Sequence, residues 1–114
     1  MPKIHVSDNI KLVFDERLKK ITDMIKAAIT DYEEFGIFGS YARGDFISTS
    51  DIDFCIITNN RPNRRVTGCL REDADILGAD IIFITPKFFK TDNSIFAENL
   101  RRDYIQFEVK NNDK

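Results

Sequence analysis

The chain has little of what marks many protein classes. It carries two cysteines, Cys55 and Cys69, and a single histidine, His5. Cys55 sits inside an apolar strand pattern, so a buried free thiol is expected there rather than a disulfide. Together with the lack of other cysteines this points to a reducing cytoplasm. With His5 solitary and read as incidental, no Ser-His-Asp or zinc constellation can be assembled, and no Rossmann fingerprint is present. No stretch approaches the ~18 apolar residues of a membrane span. The start, Met1-Pro2-Lys3-Ile4-His5, has no apolar signal region. Positive charge is not in excess: 17 Lys and Arg face 19 Asp and Glu, a net charge of -2. The chain as a whole is therefore not an electrostatic binder of nucleic acid. There is no internal repeat, low-complexity segment or linker.

What is there fits one soluble globular domain spanning 1–114. The length is 114 residues, with 42% hydrophobic and 32% charged. A chain of this size can bury a core without staples. Ile10, Phe14, Leu18, Ile21, Ile25 and Ile29 recur at helical spacing, with Ser7, Asp8 or Asp15 as candidate caps. Phe35 to Phe38 reads as a strand closing on Gly39. Ser40 to Arg43 opens a short helix that Gly44-Asp45 breaks, and Ser48-Thr49-Ser50 is a polar turn. Asp51 to Thr58 is a second strand, apolar on both faces apart from its aspartates, as central strands are. Arg64 to Leu77 suits a helix despite Gly68. Asp80 to Thr85 is a third strand, stopped by Pro86. Ser94 to Arg101 suits a helix with Ile95, Phe96 and Leu100 inward, and Tyr104 to Val109 a last strand. The fold class is α/β (α+β): a small mixed sheet of about four strands flanked by helices.

One segment stands out. Gly39-Ser40, then ten residues, then Asp51-Ile52-Asp53 sets a phosphate-cradling turn a fixed distance before two carboxylates. Residues two apart on a strand face the same side, with α-carbons roughly 6.5 Å apart, so both carboxylates can reach one hard cation. Mg²⁺ takes oxygen ligands and keeps waters, and one or two carboxylates plus triphosphate oxygens complete such a site. The plainer alternative is an exposed Asp-x-Asp turn, which the apolar neighbours Ile52, Phe54, Ile56 and Ile57 oppose. Gly39 lets backbone approach phosphate. Ser40 begins a helix whose free N–H groups favour an anion, though an ordinary strand-to-helix turn with Ser40 as cap would look the same. Asp80 is the third candidate carboxylate, on a strand expected beside Asp51–Thr58. A third oxygen ligand there would let two cations sit about 4 Å apart, clamping the attacking and leaving oxygens of an in-line displacement. Asp80 could instead only cap the preceding segment, and Glu72, Asp73 and Asp75 are rivals on an expected surface helix.

Arg43 could pair with phosphate oxygens or equally buttress the loop through Asp45. Arg61, Arg64 and Arg65 form a basic loop whose default is a solvated surface, with triphosphate contact the sharper alternative. Phe88, Phe89 and Phe96 are expected in the core rather than as an adenine-stacking platform.

These residues resemble a known family. Gly39-Ser40, ten residues, Asp51-x-Asp53, then Asp80 on the next strand, is similar to the nucleotidyltransferase superfamily of DNA polymerase beta. The form Gly-Ser-Tyr-Ala-Arg-Gly resembles its minimal nucleotidyltransferases, the MNT proteins, and the likeness runs from Phe35 through the last strand. The resemblance implies that Asp51, Asp53 and Asp80 are catalytic and hold Mg²⁺, with two ions expected, and that Gly39 and Ser40 hold the triphosphate of ATP; Arg43 is a further candidate ATP contact on its own position after Ser40. It implies that Asp80 lies near the acceptor hydroxyl and helps deprotonate it. The last strand ends near the C-terminus, leaving no room for an acceptor-holding helical domain, so the acceptor is expected on another molecule. That fits MNT antitoxins, which the resemblance implies transfer AMP to a tyrosine of a HEPN-type ribonuclease toxin. Neither a membrane nor nucleic acid is expected as a direct partner. Two alternatives stay open: a small-molecule nucleotidyltransferase whose acceptor pocket forms by self-association, and an antitoxin that binds without chemistry.

Overall fold

The computed structural model describes residues 8–47 and 50–109. Ser7, His5 and the Ser48-Thr49 part of the polar turn lie outside the described residues, as does the side chain of Ile10. The elements in chain order are α1 (Asp8–Ala28), β1 (Glu34–Phe38), α2 (Gly39–Arg43), β2 (Ile52–Ile57), α3 (Arg64–Ile76), β3 (Ala79–Ile84), α4 (Pro86–Thr91), α5 (Ile95–Asp103) and β4 (Ile105–Val109). Helix α1 includes Asp8, so the start at Asp15 is excluded. The four strands form one mixed sheet in the order β3-β2-β1-β4. β1 pairs antiparallel with β2 and β4, while β2 and β3 run parallel. A parallel pair needs a crossover, and α3 supplies it.

The sheet is covered unequally. On one face Phe14, Ile21, Ile25 and Ile29 of α1 and its exit, with Leu70 and Ala74 of α3, pack on Phe35, Ile37, Ile52, Phe54, Ile56, Ile81 and Phe83. The α1 residues share a face because they recur every three or four positions. The other face is smaller: Cys55, Ile57 and Leu100 of α5, with Phe38, Ile82, Ile84, Phe89 and Tyr104 against them. Cys55 is buried and free, as its apolar setting implies.

Each later helix starts on a side-chain cap. Asn63 accepts hydrogen bonds from the N–H groups of Arg65 and Val66 to open α3. Ser94 accepts from the N–H of Ala97 to open α5. Thr85 accepts from the N–H of Phe88 and Pro86 follows at the first helical turn, so Pro86 not only stops β3 but starts α4. That helix was not anticipated: a proline after a strand reads as a stop, yet its fixed φ also suits the first turn of a helix. A second departure is in α5. Leu100 is buried, but Ala97 is its other inward residue, while Ile95 is 77% and Phe96 48% exposed. Ala97 and Leu100, three positions apart, form the buried face, which turns Ile95 and Phe96 outward.

Gly36 is fixed by a close approach. β4 passes so near β1, at a register shift between Phe35 and Gly36, that any Cβ on Gly36 would overlap the backbone of Ile105. Gly68, in the middle of α3, has open space where a Cβ would go. The two glycines therefore predict opposite outcomes. Gly36→Ala should lower the urea-unfolding free energy by about 2–3 kcal/mol, an overpacking cost. Gly68→Ala should raise it by about 0.5–1 kcal/mol through helix propensity. Equal effects in one denaturation series would contradict this packing.

Candidate active site

Strand register builds the site. Asp53 lies opposite Asp80 in the parallel β2–β3 pair, and opposite Phe38 in the antiparallel β1–β2 pair. Residues directly opposite share a face, and Cys55 and Ile82, two positions on, also pair. So Asp53 and Asp80 continue the same face as the smaller core cluster, at the end where β2 and β3 begin. Asp51, immediately before β2, sits two residues before Asp53. The expectation that Asp80 stands beside the Asp-x-Asp strand is met: it is the register partner of Asp53.

The electrostatics follow from that placement. Asp53 is half-buried, whereas Asp51 and Asp80 are exposed. Burial first, then the charges of Asp80 and Asp51, push the Asp53 carboxyl up to about 6, with Arg43 pulling the other way. Like charges held together disfavour ionisation of the more buried one. A divalent cation would reverse this, and the donor set is all hard carboxylate oxygen, as Mg²⁺ prefers. The residues therefore fit such an ion in kind. Among the described residues, no three His, Cys, Asp or Glu side chains are already gathered as a metal-binding group. Asp51 and Asp80 would have to turn toward Asp53 to share an ion.

Gly39 follows β1 directly, opposite this carboxylate. Its φ is 79°, in the left-handed region, and a Cβ there would overlap the Asp53 carboxylate. Both facts demand glycine. α2 then runs only from Gly39 to Arg43, with Phe38 rather than Ser40 in the capping position and no side-chain cap. The Ser40 hydroxyl has no hydrogen bond among the described residues, and its carbonyl accepts from the N–H groups of Gly44 and Asp45. Gly44, at φ 86°, closes this turn.

Two residues anchor the turn. The Tyr41 hydroxyl donates to Asp15 Oδ1 at 2.6 Å, and its ring stacks 5.6 Å from Phe14 and meets Phe46 edge-on at 4.9 Å. Burial and that hydrogen bond hold the phenol well above its ordinary range. The sequence reading did not single out Tyr41. An aromatic at helical spacing inside a polar turn was the available signal. Arg43 binds Asp45 through Nε at 3.2 Å and Asp103 through Nη1 at 2.8 Å. Of its two expected roles, the structure displays the buttress, tying α2 to the end of α5.

A groove of about 720 Å³ opens beside the carboxylates, lined by Asp53, Asp80, Phe38, Phe96 and residues of α3 and β3. Arg61 lies elsewhere, in a pocket with Thr58 and Thr85, and Arg64 and Arg65 are exposed at the start of α3. None of these three lines the groove. Glu72 and Asp75 do line it, while Asp73 faces a different pocket beside α1.

The family model described as "Nucleotidyltransferase domain" matches residues 9–112. Among solved structures, the chain is similar to one from Sulfolobus solfataricus described as a nucleotidyltransferase, at 21% identity and a TM-score of 0.61, covering 94% of this chain and 90% of that one. It is similar to a toxin–antitoxin complex with AMP-PNP, at 19% identity and a TM-score of 0.57, covering 77% and 69%. It is also similar to a complex of tri-AMPylated Shewanella oneidensis HEPN toxin with MNT antitoxin, at 15% identity and a TM-score of 0.54, covering 81% and 69%. These likenesses show the nucleotidyltransferase fold. No curated protein matches. No helix among the described residues is long and apolar enough to cross a membrane.

The crowded carboxylates predict a trade of stability against function. Because the fold raises Asp53 from 3.8 to about 6, it binds the proton more tightly than the unfolded chain does. This contribution to stability is full below about pH 4 and lost as pH rises through about 6. Without divalent ions, Asp53→Asn should melt about 2–5 °C higher than the native chain near pH 7.5. The difference should close near pH 4. A variant that melts lower at the higher pH would show that the repulsion is absent.

Proposed function

The chain belongs to the nucleotidyltransferase domain family, and from that premise we propose that it transfers AMP from ATP to a tyrosine hydroxyl of a HEPN-type ribonuclease toxin, acting as its antitoxin. The observation that carries this reading is the pairing of Asp53 with Asp80 directly beside Gly39. A phosphate-approaching turn and a carboxylate set on one sheet end are what nucleotidyl transfer requires. The fold shared with complexes of HEPN toxin and MNT antitoxin supports the choice of acceptor.

The roles divide by element. Gly39 brings backbone N–H to the triphosphate without a side chain in the way, and the Ser40 hydroxyl donates to a phosphate oxygen. Asp51 just before β2, Asp53 of β2 and Asp80 of β3 would hold Mg²⁺, with two ions expected. When bound, these ions neutralise the triphosphate and the charge that develops at the α-phosphorus. Asp80, exposed toward the groove, accepts the proton of the acceptor hydroxyl. The acceptor oxygen then bonds the α-phosphorus, the bond from that phosphorus to the bridging oxygen breaks, and pyrophosphate leaves. Positioning and charge neutralisation supply the rate rather than covalent catalysis. Asp103 holds Arg43 at the rim, where its charge already reaches Asp53.

One observation favours a second reading. Arg43, expected at the triphosphate, is instead occupied by Asp45 and Asp103. A chain that silences its partner by binding alone would need no more than this.

Intact-mass spectrometry of a HEPN-type toxin mixed with this chain, ATP and Mg²⁺ separates the two. The native chain should add one or more AMP units. Asp51→Asn/Asp53→Asn should slow that addition by at least about a thousandfold, as loss of a metal-holding pair does. A tight complex with no mass change would establish binding alone.

A further inference from the structure

We infer that the groove between the start of β3, α3 and Phe96 is the acceptor subsite. It takes a phenolic side chain flanked in its own chain by lysine or arginine. The inference rests on the nucleotidyltransferase reading and specifies what that site accepts.

Aromatic residues form one wall. Phe96 stands 48% exposed. Its ring meets Phe38 edge-on, with centroids 6.3 Å apart and planes at 87°. Phe38 is the register partner of Asp53, so this pair adjoins the carboxylates rather than a remote surface. Both rings line the groove with Asp53 and Asp80. An aromatic acceptor laid against them gains area and an edge or offset-stacked contact. Its hydroxyl is then carried toward Asp80.

Charge decides what may flank that side chain. The groove is lined by Asp53, Glu72, Asp75 and Asp80, with Arg71 as the one cation among the lining residues. Arg71 is exposed but held along the strand edge. Its Nε donates to the carbonyl of Ile81 at 3.1 Å, and its guanidinium lies 5.6 Å from the Phe83 ring. Ions bound for catalysis would cancel Asp53 and Asp80, leaving Glu72 and Asp75, both exposed on α3, against Arg71 alone, a net negative rim. Complementarity then favours a basic stretch and repels an acidic one.

The test measures binding apart from transfer. Fluorescent peptides would carry a tyrosine among lysines and arginines, the same tyrosine among glutamates, or a serine among lysines and arginines. Binding would be read by anisotropy with Mg²⁺ and AMP-PNP present. The basic tyrosine peptide should bind about tenfold tighter than the acidic one, from two rim carboxylates at up to fivefold each. Glu72→Gln/Asp75→Asn should bring the two within about twofold. Phe96→Ala should weaken the tyrosine peptide about fivefold and leave the serine peptide unchanged. Phe96→Leu, which keeps the bulk against Phe38, guards against a folding defect and should show the same selectivity at smaller size. Equal binding of basic and acidic peptides, no binding of any peptide, or insensitivity of the tyrosine peptide to both Phe96 variants would overturn the inference. Mass spectra of the same peptides with ATP separate the two claims. Selective binding with no adenylate would sink the transfer reading and leave the subsite. Adenylate on basic and acidic peptides alike would sink the subsite and leave transfer.

Discussion

Parallel pairing of β2 with β3 sets Asp53 against Asp80, and the rest of the site is arranged around that pair of like charges. The register is held by the whole ladder from Ile52 and Ala79 to Ile57 and Ile84. A slip of one residue would turn Asp80 into the larger core and Ile81 out of it, because side chains alternate. Burial of Ile52, Phe54, Ile56 and Ile81 therefore enforces the placement of the charged residues between them. The apolar core keeps the carboxylates together against their own repulsion.

The unequal covering of the sheet makes that repulsion useful. One face is closed by α1 and α3 along its length. On the other, α4 and α5 pack over Cys55, Ile57, Ile82 and Ile84 and leave a groove beside Asp53 and Asp80. Asp53 is left half in and half out of water, so its carboxyl is raised without being sealed off. A fully buried carboxylate would be neutral and inert, and a fully exposed one would be screened.

The turn after β1 is rigid for reasons outside itself. Five helical residues cannot hold their own shape in water. Tyr41 ties α2 to Asp15, Phe14 and Phe46, and Arg43 ties it to Asp103 at the far end of α5. Gly39, pressed against Asp53, completes the third side. Movement of this turn would have to disturb α1, β2 and α5 together. The phosphate-facing backbone and the carboxylates are thus parts of one packed unit.

Much of this was legible in the residues taken in order. Hydrophobic periodicity located α1, α3, the four strands and their order along the chain, because burial on one helix face or both strand faces leaves a period. The Gly39-Ser40 and Asp51-x-Asp53 spacing marked the site, because close phosphate approach and shared ion binding each restrict residue type. Helix α4 was missed because Pro86 carries two meanings that only its neighbours separate. The outward turn of Ile95 and Phe96 was missed because a nine-residue helix has too few periods to fix its phase without its cap and partners. Pairing of Asp53 with Asp80, the clash that demands glycine at 36, and the commitment of Arg43 to Asp103 all join residues distant in sequence. Local pattern determined which residues could do the chemistry. Which of them meet was decided by strand register and by where α5 ends, since those follow from the packing of the whole sheet.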